Sequence, residues 1–387
     1  MIGAGTETTI RGRVVSASAQ LADGVVTVAG DRITAVAPFA EWAAAHPDSA
    51  APAFAGTVLP GLVDMHNHGG FGHRFDTVDA MEARAAAQFH HASGSTTVVA
   101  SVVTAAAADM VAQTAVLREL AEDGLLGGVH TEGPFLSEAR CGAQDPRFLR
   151  DPDLELTDRL LAAGGGQLRM MTLAPERPGY DAVAQRLTDH EVVVALGHSN
   201  ADYTSFLKAL RSTGFGTVAT HLANGMPPLH HREPGPVGAA LVAAAAGHAT
   251  VELIGDGVHV DPGFAALVFA TAPGRVALIT DAMQAAGLSD GEYQLGPQSV
   301  TVRQGVARIA NGSIAGGVST LLDCVARAVR DSGVPLADAV CAATSTPAAA
   351  LRLPDVGDLR TGYFADLLIV DETLRLRRVL RRGEWLS

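Results

Sequence analysis

The sequence predicts an α/β protein, a (β/α)8 TIM barrel with a small β-sandwich domain formed by the N- and C-terminal segments. Three observations predict it. Eight apolar runs of strand length alternate with Ala- and Leu-rich segments of helix length between residues 62 and 281, the pattern of βα units on a parallel sheet. Short β-like runs with turn punctuation occupy residues 1–55 and return only after residue 362. His, Asp and Glu residues stand at the ends of the eight runs, and in a barrel those ends converge on one mouth.

Residues 10–16, 25–29 and 32–36 read as strands, separated by Ala22-Asp23-Gly24 and Gly30-Asp31, residue types that favour turns. The barrel strands follow at 62–66, 96–102, 128–132, 169–174, 192–198, 217–221, 251–256 and 275–281. Eight is the number that a closed barrel of this kind requires. Residues 362–371 then give a buried strand, and 374–380 with Gly383 a hairpin. The two ends are expected to pair, so that residues 1–56 and 356–387 form the composite β domain and residues 57–355 the barrel. No short-period repeat, linker or low-complexity tract interrupts them.

The balance of 28 Lys and Arg against 41 Asp and Glu leaves a formal charge of −13. Such a chain lacks the electrostatic attraction that dominates nucleic-acid affinity, although one placed arginine can still bind one phosphate. Charged residues make up 18% and hydrophobic residues 48%, which suits a large buried core rather than a disordered chain. Cys141, Cys324 and Cys341 are too scattered for a disulfide framework or a Cys-rich zinc site. Residues 1–13 contain no apolar leader, and the Ala-rich run at 239–249 is interrupted by Gly247 and His248. A soluble, cytoplasmic protein with no nucleic-acid or membrane partner is expected.

Run one ends in Asp64-Met65-His66-Asn67-His68, run three in His130-Thr131-Glu132, run five in Gly197-His198 and run six in Thr220-His221. Run seven ends at Asp256 with His259 after it, and run eight at Asp281. On an extended segment His66 and His68 point the same way, and two imidazoles on one side suit a zinc-like ion. A His-x-His alone is more often a surface or core pair than a metal site. What favours a metal is that Glu132, His198, His221 and Asp281 hold the equivalent place on other strands. His90, His91, His190, His230, His231 and His248 fall outside this register, so solvated or capping roles are expected for them. Cys141 follows Arg140 in a loop near the mouth with no histidine in register, and reads as incidental. The stretches 104–110 and 243–246 read as helical core packing.

The segment Pro60-Gly61-Leu62-Val63-Asp64-Met65-His66-Asn67-His68-Gly69-Gly70 and the closing Gly362-Tyr363-Phe364-Ala365-Asp366 resemble the amidohydrolase superfamily, which joins a metal-bearing barrel to a composite β domain. Within it, His130-Thr131-Glu132-Gly133-Pro134-Phe135-Leu136, Gly197-His198-Ser199, His221-Leu222-Ala223-Asn224-Gly225-Met226, Arg232-Glu233-Pro234-Gly235, Asp256-Gly257-Val258-His259-Val260-Asp261 and Thr280-Asp281-Ala282 resemble the N-acetylglucosamine-6-phosphate deacetylase family. The resemblance runs almost end to end. Its Glu-Gly-Pro and Asn-Gly-Met-Pro elements are far more specific than the His-x-His.

The resemblance implies that Glu132, His198 and His221 hold one divalent ion, and that His66 and His68 hold a second with Glu132 as a bridge. One or two ions of zinc, iron or cobalt per subunit are implied. Asp281 would be the catalytic carboxylate at that centre. Asn224 and the Gly225 backbone would cradle the sugar phosphate, with Ala143 and His259 as further substrate contacts. Arg232 would clamp the phosphate of a neighbouring subunit in a homodimer. The implied reaction is acetamide hydrolysis of N-acetylglucosamine 6-phosphate to glucosamine 6-phosphate and acetate, in amino-sugar catabolism and cell-wall recycling.

One departure stands out. Family members carry a histidine in the loop after Glu-Gly-Pro, where it helps polarise the acetamide carbonyl, and here Gly142-Ala143-Gln144 puts glutamine in that place. Gln144 can donate a hydrogen bond but cannot carry a proton or a charge, so a slower or differently tuned catalyst is expected. Two rival readings are a cyclic-imide or aminoacyl amide hydrolase and a non-catalytic scaffold on the same fold. Many of the former bridge two metals with a carbamylated lysine, and no strand end here carries one: Lys208 lies ten residues past run five. Scaffolds lose metal ligands, and this chain keeps the set.

Overall fold

A computed structural model of the chain describes residues 7–212 and 216–386. Its centre is an eight-stranded parallel sheet of Val63–Asn67, Thr97–Val102, Gly128–Glu132, Leu168–Leu173, Val193–Leu196, Thr217–Ala219, Thr250–Ile254 and Val276–Ile279, each hydrogen-bonded to the next. We call these barrel strands one to eight. The first and last meet through residues just past strand eight, where the Asp281 N–H donates to the His66 carbonyl (3.0 Å) and the His68 N–H to that of Ala282 (2.8 Å). All eight expected runs are strands. Those of runs five to eight stop two residues short of the polar residue that ends each run.

Alternation sorts each strand into two layers. Met65, Val99, Met170, Val193, Ile254 and Ile279 fill the barrel interior, while Val251, Leu253 and Leu278 face the helices outside. Interior space is filled closely enough to demand glycine at one place. A Cβ on Gly197 would lie 2.7 Å from Cβ of Thr220 and 3.2 Å from Cγ2 of Thr172, two threonines whose hydroxyls meet at 3.0 Å.

The termini build one seven-stranded sheet, in the order Glu384–Trp385, Leu376–Arg381, Leu367–Val370, Phe54–Pro60, Thr8–Val15, Gln20–Ala29 and Arg32–Pro38. The N- and C-terminal segments join where Leu367–Val370 runs antiparallel to Phe54–Pro60. The sheet curls over, so that the Ile33 N–H reaches the Tyr363 carbonyl (2.9 Å) and the Gly362 N–H that of Ile33 (2.8 Å). Ile10, Val14, Val26, Ile33, Leu367 and Ile369 are enclosed between its two halves.

An element absent from the sequence reading follows strand eight. Gly291–Leu295, Gln298–Arg303 and Val306–Arg308 form a three-stranded antiparallel sheet. Its signal was there in the alternation of Val300, Val302 and the turn pairs Gly296-Pro297, Gln304-Gly305 and Asn311-Gly312. Leu295, Val300, Val302 and Ala307 pack on Met283 and Val103, which seats this sheet over one side of the barrel mouth.

The helix Ala80–Ala92 corrects one expectation. His90 and His91 are buried rather than solvated, and His90 Nε2 lies 2.9 Å from the Gly69 carbonyl. The spacing 83, 86, 87, 90 of the buried stripe is helical periodicity, so the position of His90 was readable. His190 caps the helix Tyr180–Asp189, and His230, His231 and His248 are exposed as expected. Among the described residues, no helix is long and apolar enough to cross a membrane.

Candidate active site

The C-terminal strand ends bring two groups of side chains together. His66, His68 and Asp281 form one, and Glu132, His198 and His221 the other, with the ligand atoms of each within 4.8 Å of one another. His66 lies within strand one, His68 just past it, and Glu132 ends strand three. His198, His221 and Asp281 each stand two residues beyond their strand, at positive φ of 47°, 26° and 46°. Side-chain-bearing residues avoid this region, and holding one there costs roughly 1–3 kcal/mol unless its surroundings fix it. Three such residues at one centre make the bend part of the site's construction.

Glu132 joins the groups. Its Oε1 is 2.9 Å from Nε2 of both His198 and His221, and its Oε2 is 3.2 Å from Nε2 of His68. Asp281 Oδ1 lies 3.1 Å from His68 Nε2 and 3.5 Å from His66 Nε2. Asp281 is held from behind by strand one: Asp64 accepts from the hydroxyl of Thr280 (2.6 Å), its backbone N–H (3.2 Å) and the Asn67 amide (2.8 Å).

The proton positions show what the centre accepts. His68 Nδ1 faces the Ser101 carbonyl at 3.2 Å and His198 Nδ1 the Arg140 carbonyl at 2.8 Å. A carbonyl only accepts, so both rings carry their proton on Nδ1 and turn Nε2 inward. His66 does the same by donating Nδ1–H to Glu252 Oε2 at 3.0 Å. Nε2 atoms therefore meet at 3.1 Å, His66 against His68 and His198 against His221. In neutral rings the Nε2 lone pairs of His66, His68 and His198 face one another, a fourth imidazole and the carboxylates of Glu132 and Asp281. That donor set fits divalent cations, with imidazole and carboxylate the ligands that suit zinc and other borderline ions.

The charges agree. Burial acts to lower His66 and His68, but Glu252, Asp281 and Glu132 outweigh it, raising His66 well above the usual range and His68 to about 9. Burial acts to raise Glu132 and Asp281, and the surrounding imidazoles hold Glu132 well below and Asp281 below the ordinary carboxylate range. The carboxylates are thus ionised and draw positive charge into the centre.

The centre opens into a cavity of about 270 Å³, lined by Ala143, Gln144, Asn224, Gly225, His259 and Asp281 and, from the added sheet and the segment after it, Leu295, Ser313, Ile314 and Gly316. That is near the lower end of small-molecule sites, roughly 300–1,000 Å³. Those last four were missed because their sheet was missed. Gly225 sits against the centre at φ 59°, where a Cβ would come within 2.9 Å of His198 Nδ1. Asn224 donates to the His221 carbonyl at 3.2 Å. His259 Nδ1 is 2.7 Å from Asp256 Oδ2, and although burial works to lower it, Asp256 and Asp281 raise its pKa.

Two residues stand differently from the rest. Gln144 is buried with both ends of its amide engaged: Oε1 accepts from the Thr104 N–H at 2.8 Å, and Nε2 donates to Glu132 Oε2 at 2.6 Å. Arg232 is exposed, outside the cavity of its own chain, with Nη1 3.0 Å from His231 Nε2. Cys141 is half-buried, with its thiol pushed up by burial. A second cavity of about 260 Å³, lined by Val276, Asp338 and Cys341 among others, holds none of the histidines or carboxylates of the centre.

The sequence profile of the Amidohydrolase family matches residues 57–385. The N-acetylglucosamine-6-phosphate deacetylase of Lysinibacillus sphaericus is 34% identical over 338 residues, covering 84% of each chain. The N-acetylgalactosamine-6-phosphate deacetylase of Escherichia coli O157:H7 is 34% identical over 385 residues, covering 97% of this chain and 98% of its own. The crystal structure of the N-acetyl-D-glucosamine-6-phosphate deacetylase of Mycobacterium smegmatis superposes with a TM-score of 0.92 at 41% identity, over 98% of this chain and all of that one, 100%. The barrel, its strand-end ligands and these relatives agree: the chain belongs to the amidohydrolase family, in its N-acetylglucosamine-6-phosphate deacetylase branch.

Proposed function

We propose that this protein hydrolyses the acetamide of N-acetylglucosamine 6-phosphate, releasing acetate and glucosamine 6-phosphate, with one or two zinc, iron or cobalt ions per subunit. The observation that carries the reading is a pair of ligand groups sharing Glu132 at the floor of one cavity, with Asp281 at its wall. His66, His68, Glu132, His198 and His221 would hold a divalent ion, which would supply Lewis acidity for acidifying a water and polarising a carbonyl. Asp281, held ionised, takes the proton of the attacking water and later gives it to the departing nitrogen. Acetate release from the phosphorylated sugar is the test, with the N-acetylgalactosamine epimer alongside because relatives are named for both. No release from N-acetylglucosamine 6-phosphate by metal-loaded protein would falsify the reading, and release from the epimer alone would reassign the sugar.

Asn224, the Gly225 backbone, Ala143 and His259 line the substrate's side of the cavity. His259 is a cation below its raised pKa and neutral above it. The KM for the sugar phosphate is therefore expected to rise as pH passes through that pKa, and a His259→Gln variant should lose this limb of the profile. An unchanged limb in the variant would assign the titration elsewhere.

Arg232 completes the phosphate site of a second copy of the chain. Its place outside its own cavity supports this, since a guanidinium suits bidentate contact with phosphate. Hydrogen bonds to charged groups are worth about 1.5–3 kcal/mol, so Arg232→Ala should raise KM roughly 10- to 100-fold for the phosphorylated sugar and little for the unphosphorylated one. Equal effects on both sugars would mark Arg232 as a surface residue.

Gln144 holds Glu132 rather than standing free over the substrate, and one amide hydrogen remains for a carbonyl. Gln144→Leu removes both actions. Loss of such an outer partner typically lowers metal affinity about 10- to 100-fold, measurable by chelator competition; unaltered affinity with reduced kcat would leave only the contact to substrate.

A further inference from the structure

Glu252 lies in the middle of strand seven, Thr250–Ile254, with no exposed surface. Ile254 belongs to the barrel interior while Val251 and Leu253 face the helices, so alternation turns Glu252 inward, beneath the mouth. A buried carboxylate is costly unless its charge and lone pairs are met. Its Oε2 meets two donors, His66 Nδ1–H at 3.0 Å and the His221 backbone N–H at 3.0 Å. Its Oε1 has no partner.

Each bond fixes a different metal group. The first sets the proton of His66 on Nδ1 and so turns Nε2 towards His68 and Asp281. The second anchors the bend that carries His221. That residue stands at a φ of 26°, and its Nδ1 has no partner, so no carbonyl steadies its ring as one does for His68 and His198. What holds His221 is its backbone: its own N–H on the Glu252 side chain, and the N–H of Leu222 on the Glu252 carbonyl at 2.8 Å.

We propose that Glu252 is a positioning residue shared by the two metal groups, one carboxylate oxygen setting the His66 ring in the first and the His221 bend in the second. The proposal rests on the metal reading of the centre and not on the identity of the sugar. Glu252→Gln can keep an oxygen in place for both donors while removing the charge, with its NH2 where Oε1 stands unpartnered. Glu252→Leu removes the bonds as well.

The test reloads metal-free protein with Co2+, following its visible absorption and its affinity against a competing chelator, with His68→Asn as a background that isolates the Glu132 group. Glu252→Leu is expected to bind about 10- to 100-fold more weakly at both groups, with its absorption displaced. Glu252→Gln should recover affinity at the His221 group and stay weaker at the His66 group. A fall confined to one group in Glu252→Leu overturns the shared role. So does a lower melting temperature of the metal-free variants with Co2+ affinity and spectrum unchanged. Should Glu252→Leu not fold, an unaltered affinity and spectrum in Glu252→Gln is decisive against the proposal. Failure of the unsubstituted protein to bind Co2+ would instead overturn the metal reading itself.

Discussion

Asp281→Asn is expected to yield a folded protein that binds the sugar phosphate with nearly unchanged KM while kcat falls about 10²- to 10⁴-fold, the range of a positioned acid–base group. The reason lies in what the amide cannot do. Asp281 is ionised at neutral pH because His66 and His68 outweigh the burial that acts to raise it, so it is ready to take a proton, and an amide nitrogen or oxygen cannot take and return one at that pH. The substitution keeps size and shape, and strand eight is fixed through Thr280 to Asp64 rather than through the Asp281 side chain. Asp281 also belongs to the His66 and His68 group, so metal content has to be measured beside turnover. Normal metal content with lost kcat assigns Asp281 the proton; unchanged kcat with a raised KM would make it a binding residue only.

The barrel was legible because its strands are short apolar runs at regular intervals, and because a strand end that must present a ligand interrupts an apolar run with His, Glu or Asp. His198, His221 and Asp281 show the limit of that signal: the runs continue to them in sequence, yet each ladder stops two residues earlier and the backbone turns to positive φ. Such a bend is imposed by tertiary contacts on ordinary residues, so local sequence does not announce it. Glu252 was illegible for a related reason. A single acid inside Thr-Val-Glu-Leu-Ile is inward or outward according to register, and only the register puts it under His66. The resemblance places Gln144 at the acetamide carbonyl, and Gln144 does line the cavity; its bond to Thr104, 40 residues away, is one that no periodicity can bridge. Arg232 is exposed, and the phosphate contact proposed for it involves a second chain, which one sequence does not describe.

Glu132→Gln is expected to remove activity altogether, by a route that differs from that of Asp281→Asn. Glu132 serves both ligand groups, Oε1 between His198 and His221 and Oε2 beside His68. An amide there offers one oxygen in place of two, and its NH2 would point hydrogens at imidazole nitrogens or at any cation they hold. The Gln144 amide, which donates to Oε2 at 2.6 Å, would face either a neutral oxygen or another NH2. Loss of an outer partner alone weakens metal binding about 10- to 100-fold, so loss of the shared inner carboxylate should leave less than about a tenth of the metal on the purified protein and no detectable acetate release. His68→Asn is the contrasting variant, since it removes a ligand from one group and leaves Glu132, His198 and His221 in place; it should keep one ion per subunit. Elemental analysis of the two variants separates the cases. Metal retained at full stoichiometry by Glu132→Gln would mean that the two groups bind independently and that Glu132 is not the residue that couples them.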